Sequence, residues 1–314
     1  MSSLRASRTG VRVTRHARGR LPGDGVELAY GFWPGRGAPI VAIHALTASY
    51  MTFVGIGERL VGRRPLLAPD LRGRGDSDKP AGPYGMQQHA ADVAAAMRAF
   101  GLGPSVVVGH SMGAYVATVL AVDHPDLVAG LVLLDGGHPP ELPEGLDSDA
   151  LLDRILGPVI DRLHRDFDSA EEYLDTWRQL PIFADVPGHS AWGPWVEAYL
   201  RYDLARGRGR GHFRPKALEA AVRADFADMG RRDEVERRLE AVRAPVMVVR
   251  AECGLAPDQP GVLEDSHLER IRTCIPDVVE HTLADTTHYT VALAEPGAST
   301  VAGLLVDFAD TCGV

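Results

Sequence analysis

Lysine is nearly missing from this chain: of 33 basic residues in 314, only Lys79 and Lys216 are lysine. That bias toward arginine reads as a coding preference and carries no mechanism. Cysteine is almost as scarce. Cys253, Cys274 and Cys312 are too few for a disulfide framework, odd in number, and without a C-x-x-C pair. A reduced, cytoplasmic setting is the expectation. No apolar run approaches the ~20 residues of a membrane-spanning helix. The first twenty residues hold six arginines and no acid. The following "GRLPGDGVEL" is not the apolar core of roughly 7–15 residues that a secretory signal needs. Residues 1–25 are therefore expected to be an arm or a first strand. Excess positive charge is absent as well. A net charge of −9 argues against a general nucleic-acid binder, and "RGRGRGH" (206–212) reads as a mobile loop. There is no H-E-x-x-H, no Cys/His cluster, no Walker loop and no G-x-G-x-x-G at a first strand–helix turn. No metal or organic cofactor is expected. The expected partner is a small-molecule substrate, with no nucleic acid and no membrane, the chain acting as monomer or homodimer.

What is present is a chain 45% hydrophobic and 24% charged, enough to bury a sizeable core. Short β-branched runs alternate with amphipathic stretches, the pattern of a parallel sheet covered by helices. "VELAYGFW" (26–33) alternates, as an early antiparallel strand does. "PIVAIHAL" (39–46), "RPLLAPDL" (64–71), "SVVVGH" (105–110), "VAGLVLLDGG" (128–137), "APVMVVRAE" (244–252) and "DVVEHTLAD" (277–285) read as further strands. "MQQHAADVAAAMRAFG" (86–101), "GAYVATVLAVDHP" (113–125) and "GASTVAGLLVDFADT" (297–311) read as helices. The rhythm breaks over 138–240, which has no convincing buried strand and holds three of the four tryptophans. The expectation is an α/β fold with a mostly parallel central sheet flanked by helices. Residues 26–137 and 241–314 form its core, and 138–240 a helical lid between the sixth and seventh strands.

The sharpest local signal is "VVVGHSMGA" (106–114). Gly109-His110-Ser111-Met112-Gly113 is a G-x-S-x-G placed between a strand and a helix. That context makes a nucleophile elbow: a sharp, strained turn that exposes Ser111 Oγ above the sheet, with glycines where side chains would collide. The Met112 N–H opens the helix and can donate to an oxyanion, helped by the helix dipole. On these residues, and on "APDLRGRGDSDKP" (68–80), the chain resembles the capped branch of the α/β-hydrolase superfamily from about residue 26 onward. The resemblance implies structural roles for Asp70, Arg72 and Gly73.

It also implies a second oxyanion donor in "AIHALTAS" (42–49): the N–H of Leu46, with Ala45 where that family usually has Gly. His44 in that loop could pass for a catalytic base or a residue of the substrate pocket, but a structural imidazole that hydrogen-bonds the loop is the favoured reading. A serine nucleophile needs an imidazole base after the last strand. "LADTTHYTVALAEPG" (283–297) supplies His288 and resembles the family's terminal His loop, while Asp285 is expected to cap that loop. The family's commonest acid position falls on Gly254, within "RAECG" (250–254). Some members place the acid after the preceding strand instead, which here is Asp135, 24 positions beyond the serine. Asp135 is the favoured acid, with Glu252 and Asp258 as alternatives.

The expected chemistry is cleavage of an ester, lactone or thioester through an acyl-enzyme, by a Ser111–His288–Asp135 triad. A serine at the elbow argues against the epoxide-hydrolase and dehalogenase routes, which need a carboxylate nucleophile. A perhydrolase, a C–C bond hydrolase and a weak binding protein are the competing readings. Trp177, Phe183, Trp192, Trp195 and Tyr199, with Tyr202, either line an apolar substrate pocket or form the lid's own core.

Overall fold

The structure is a computed structural model that describes residues 16–139, 145, 147–185, 190–207 and 212–314. Among these, eight strands form one sheet: β1 (Ala17–Pro22), β2 (Glu27–Trp33), β3 (Ile40–Ile43), β4 (Leu66–Pro69), β5 (Ser105–His110), β6 (Val128–Leu134), β9 (Val246–Ala251) and β10 (Val279–Leu283). Their spatial order is β1-β2-β4-β3-β5-β6-β9-β10. β1 and β2 pair antiparallel, as do β2 and β4. Every later pairing is parallel.

The central strands are apolar on both faces because helices cover both. β3, β4 and β5 are buried at every position. The flanking helices are α1 (Val54–Leu60), α2 (Met86–Phe100), α3 (Met112–Asp123), α9 (Asp265–Cys274), α10 (Thr290–Leu293) and α11 (Gly297–Thr311). Gly101 stops α2 in the left-handed region, with φ of 78°, where a side chain is disfavoured. The edge strand β1 buries only Leu21 of its six residues, so no alternation announces it in the sequence.

Between β6 and β9 lie α4 (Ser148–Asp161), α5 (Ala170–Arg178), α6 (Pro194–Tyr202), α7 (Glu219–Met229) and α8 (Arg232–Ala241). Asp147 and Ser169 cap α4 and α5 through their side-chain oxygens. The insertion also holds a two-stranded antiparallel ribbon, β7 (Leu204–Arg206) with β8 (Phe213–Pro215). That corrects the expectation of helices alone: three-residue strands are too short for a periodicity to show. The helices divide in two. α4 packs on α7, whereas α7 and α8 rest on α2, α3 and α9 of the core. Residues near 240 thus belong to the core by packing, although they come before its next strand.

The basic arm before residue 16, most of "PPELPEG" (139–145) and the centre of "RGRGRGH" lie outside the described residues. Cys253, Cys274 and Cys312 are free thiols. Among the described residues no helix is long and apolar enough to cross a membrane.

Candidate active site

The parallel strands end on one side of the sheet, and the chemistry-bearing residues gather there. β5 runs into Ser111, whose φ is 55° and ψ −118°, and α3 starts at Met112. The turn closes because two glycines let backbones touch. A Cβ on Gly109 would sit 2.0 Å from the Gly113 carbonyl oxygen, and one on Gly113 would sit 2.0 Å from that of Ile43. The strain at Ser111 is therefore fixed by its neighbours on both sides.

Asp135 follows directly on β6 and is also in the left-handed region, with φ of 47°. Asp is one of the few side chains that tolerate this conformation. Its carboxylate is fully buried and both oxygens are engaged. Oδ1 accepts the Ala251 N–H at 3.0 Å, and Oδ2 lies 2.6 Å from His288 Nδ1. The Asp135 N–H itself donates to the Val249 carbonyl at 2.7 Å, so the end of β9 clamps this residue. The next residue, Gly136, presses so close to Ser111 that a Cβ there would meet the Ser111 carbonyl oxygen at 2.4 Å. Serine turn, carboxylate and imidazole are thus contiguous.

Glu252 is elsewhere. It is exposed, and its Oε2 accepts the Asp285 N–H at 2.9 Å. It caps the β10 exit loop and does not contact His288. Asp258 is exposed in the loop after β9 and has no contact with His288 either. That loop's link to the imidazole residue is through backbone: the His288 N–H donates to the Gly254 carbonyl at 2.9 Å. A second tie is His110, the variable residue of the elbow motif. Its Nε2–H donates to the His288 carbonyl at 2.9 Å. Burial, with His288 beside it, pushes the His110 imidazole well below its ordinary pKa and keeps it neutral. A residue inside a pattern's wildcard position gives no signal in sequence.

Leu46 follows β3 and is buried. Its carbonyl accepts Arg74 Nε–H at 3.0 Å, and the N–H groups of Leu46 and Met112 meet no backbone acceptor among the described residues. His44 is fully buried with both ring nitrogens committed. Nε2 accepts the Leu71 N–H at 2.9 Å, which leaves Nδ1–H to donate to the Ala45 carbonyl at 2.8 Å. It offers no polar atom to a ligand, so the pocket reading for His44 is corrected to a tie between two loops. Burial lowers its pKa to about 3. Arg72 pairs with Asp92 through two contacts of 2.6 Å, both side chains buried.

Of the insertion's aromatics, Trp177, Phe183 and Trp192 form a continuous cluster, with ring centroids 5.8 Å apart at each step. Tyr289 completes it, 5.5 Å from Phe183 and 6.2 Å from Trp177. Tyr289 follows His288, so the cluster stands directly on the loop carrying the imidazole. Tyr199 is buried, and burial, with Tyr289 adding to it, raises its phenol pKa. Trp195 packs, partly buried, on the same apolar core. It lies against Gly55 of α1, with Arg59 5.4 Å from its ring. Tyr202 donates to the buried Asp70 Oδ2 at 2.6 Å. Lys216 lies 3.9 Å from its ring and 2.8 Å from Asp76. Sequence reasoning missed Tyr289 and His110, because their roles come from loops that meet only in three dimensions.

The model of the α/β-hydrolase fold matches residues 38–291. The chain belongs to that family. Among curated proteins, this α/β-hydrolase is 29% identical over 245 residues to 2-(acetamidomethylene)succinate hydrolase of Mesorhizobium japonicum, spanning 78% of this chain and 80% of that protein. The crystal structure of E-2-(acetamidomethylene)succinate hydrolase superposes with a TM-score of 0.72 at 22% identity, covering 94% of this chain and all of that one. A thioesterase domain from the curacin biosynthetic pathway gives 0.69 at 18% identity, over 93% of this chain and all of that one. At those identities the solved structures speak for the fold. Together with the family match, the named relatives make hydrolysis the coarse function.

Proposed function

We propose that this α/β-hydrolase is a serine hydrolase of carboxylic esters, lactones or thioesters, acting through an acyl-enzyme. The observation that carries the reading is the buried 2.6 Å contact between His288 Nδ1 and Asp135 Oδ2, one residue from the strained turn at Ser111. In this reading Asp135 holds the imidazole with Nδ1–H toward the carboxylate and stabilises the imidazolium that forms. Nε2 then takes the proton from Ser111 Oγ as it attacks the carbonyl. The oxyanion accepts the N–H groups of Leu46 and Met112, each such donor being worth ~10²–10³ in rate. His288 returns its proton to the leaving oxygen or sulfur. It next deprotonates water, which attacks the acyl group and frees Ser111.

The test is turnover of p-nitrophenyl butyrate together with covalent labelling by a fluorophosphonate. Turnover that is lost in Ser111→Ala, with the label on Ser111 and absent from that variant, is the expected result. A wild-type protein that neither turns over the ester nor takes the label overturns the reading.

A further inference from the structure

Three arginines are fully buried among the described residues, and they are not equally satisfied. Arg72 has Asp92 across two contacts and two backbone carbonyls besides. Arg74 has Asp225 at 2.6 Å and two carbonyls, leaving only Nη2 without an acceptor. Arg162, in the turn after α4, is 2% exposed, yet both Nε and Nη1 lack a hydrogen-bond acceptor. Its one hydrogen bond runs from Nη2 to the Thr47 carbonyl at 3.3 Å. Asp203 Oδ2 lies 3.1 Å from Nη1 as a charge neighbour without hydrogen-bond geometry, and that oxygen already accepts the Tyr173 hydroxyl. Burial raises the Asp203 carboxyl, while Arg162 and the Tyr173 hydroxyl pull it down. The remaining neighbours are neutral: Trp177, whose ring lies 5.2 Å from the guanidinium, and the phenols of Tyr199 and Tyr289.

The position matters as much as the deficit. Thr47 follows Leu46, and Tyr289 follows His288. The guanidinium therefore stands between the loop with the proposed oxyanion donor and the loop with the proposed base. A buried guanidinium short of acceptors is costly to keep. With Nη2 on Thr47 and Nη1 facing Asp203, Nε–H is the donor left for a ligand, and an anion there gains a charge-assisted N–H···O bond.

We infer that Arg162 is a substrate-binding residue that takes a carboxylate oxygen on its unused Nε–H. The preferred substrate then has an otherwise apolar acyl chain carrying a carboxylate a few bonds from the scissile carbonyl, as in a monoester of a short dicarboxylic acid. This rests on the serine-hydrolase reading for the bond cleaved, but not for the anion site itself.

The experiment compares mono-p-nitrophenyl succinate with p-nitrophenyl butyrate, in the wild type, Arg162→Lys and Arg162→Met. The readout is the ratio of their kcat/KM values, which does not depend on how much active protein each variant leaves. The expected wild-type ratio is at least ten in favour of the anionic ester. It should fall toward one in Arg162→Met and take an intermediate value in Arg162→Lys. In parallel, succinate binding is followed by thermal shift and tryptophan fluorescence in the wild type and Arg162→Met. A wild-type ratio near one, or a ratio retained in Arg162→Met, overturns the proposal even if that variant folds poorly. Succinate binding that needs Arg162, in a protein that cleaves neither ester, supports the anion site and instead refutes the ester-hydrolase reading.

Discussion

Asp135 and His44 are both buried beside the serine turn, and each is tied to two partners with opposite consequences. Asp135 spends one oxygen on the Ala251 N–H and the other on His288. Asn at this position keeps the volume and the Ala251 contact but loses the negative charge against the imidazole. Asp135→Asn is expected to lower kcat for p-nitrophenyl butyrate by ~10³–10⁴ while the circular dichroism spectrum stays native. Glu252→Gln should stay within threefold of wild type, because Glu252 serves the Asp285 N–H. The reverse order of the two effects would move the acid to Glu252. His44 is instead a stability group with a calculable sign. Burial holds its folded pKa near about 3, against an ordinary 6.5. Below 6.5 the unfolded chain binds a proton that the folded protein refuses, so stability falls as pH drops through that window toward 3. One such group contributes a slope of at most about 1.4 kcal/mol per pH unit. Urea unfolding of wild type and His44→Asn between pH 8 and 4.5 should show a shallower slope in the variant. Parallel slopes would mean that His44 is free to take up the proton when folded.

Elements differ in how openly the chain announces them. β5 and α11 fall on the residues that the apolar run and the amphipathic pattern mark, 105–110 and 297–311. They are long, deeply buried, or both, so periodicity alone defines them. The elbow was legible for a related reason: it is a local backbone problem, and glycine spacing is its local solution. Gly113→Ala tests this, since its Cβ would meet the Ile43 carbonyl oxygen at 2.0 Å. A loss on the order of 3 kcal/mol or more is expected, seen as a lower urea midpoint or loss of soluble protein. The ribbon β7–β8 and the edge strand β1 were not legible as such, because they bury too little to pattern a sequence. Least legible were contacts between elements: His110 on the His288 carbonyl, Tyr289 under the insertion's aromatics, and Arg162 beside Thr47. Each joins loops more than a hundred residues apart. Tyr202 belongs to that class. Its hydroxyl joins α6 to Asp70, a carboxylate whose pKa is already raised by burial. Tyr202→Phe removes one donor from a buried acceptor, with an expected cost of about 1–3 kcal/mol by urea unfolding.

At the scale of the whole molecule, the insertion is joined to the sheet domain by two kinds of seam. On one side α7 and α8 pack on core helices, an apolar seam continuous with the main core. On the other, polar clamps reach across: Tyr202 to Asp70, Arg162 to Thr47, and Lys216 to Asp76. Around these clamps the insertion's aromatic residues also pack on Tyr50 and Tyr289 of the sheet domain, so this seam is polar at its ties and apolar between them. Lys216 has a further use. Its side chain is only 11% exposed, in ion-pair contact with Asp76 and over the Tyr202 ring, whereas Lys79 is exposed on the core loop. No other side-chain amine exists in the sequence. Acylation by an amine-directed ester, read by peptide mass spectrometry, thus has a built-in reference and a single reporter. Lys79 should label promptly and Lys216 slowly, and the quotient of the two rates becomes a direct clock for how often the insertion lifts from the domain beneath it.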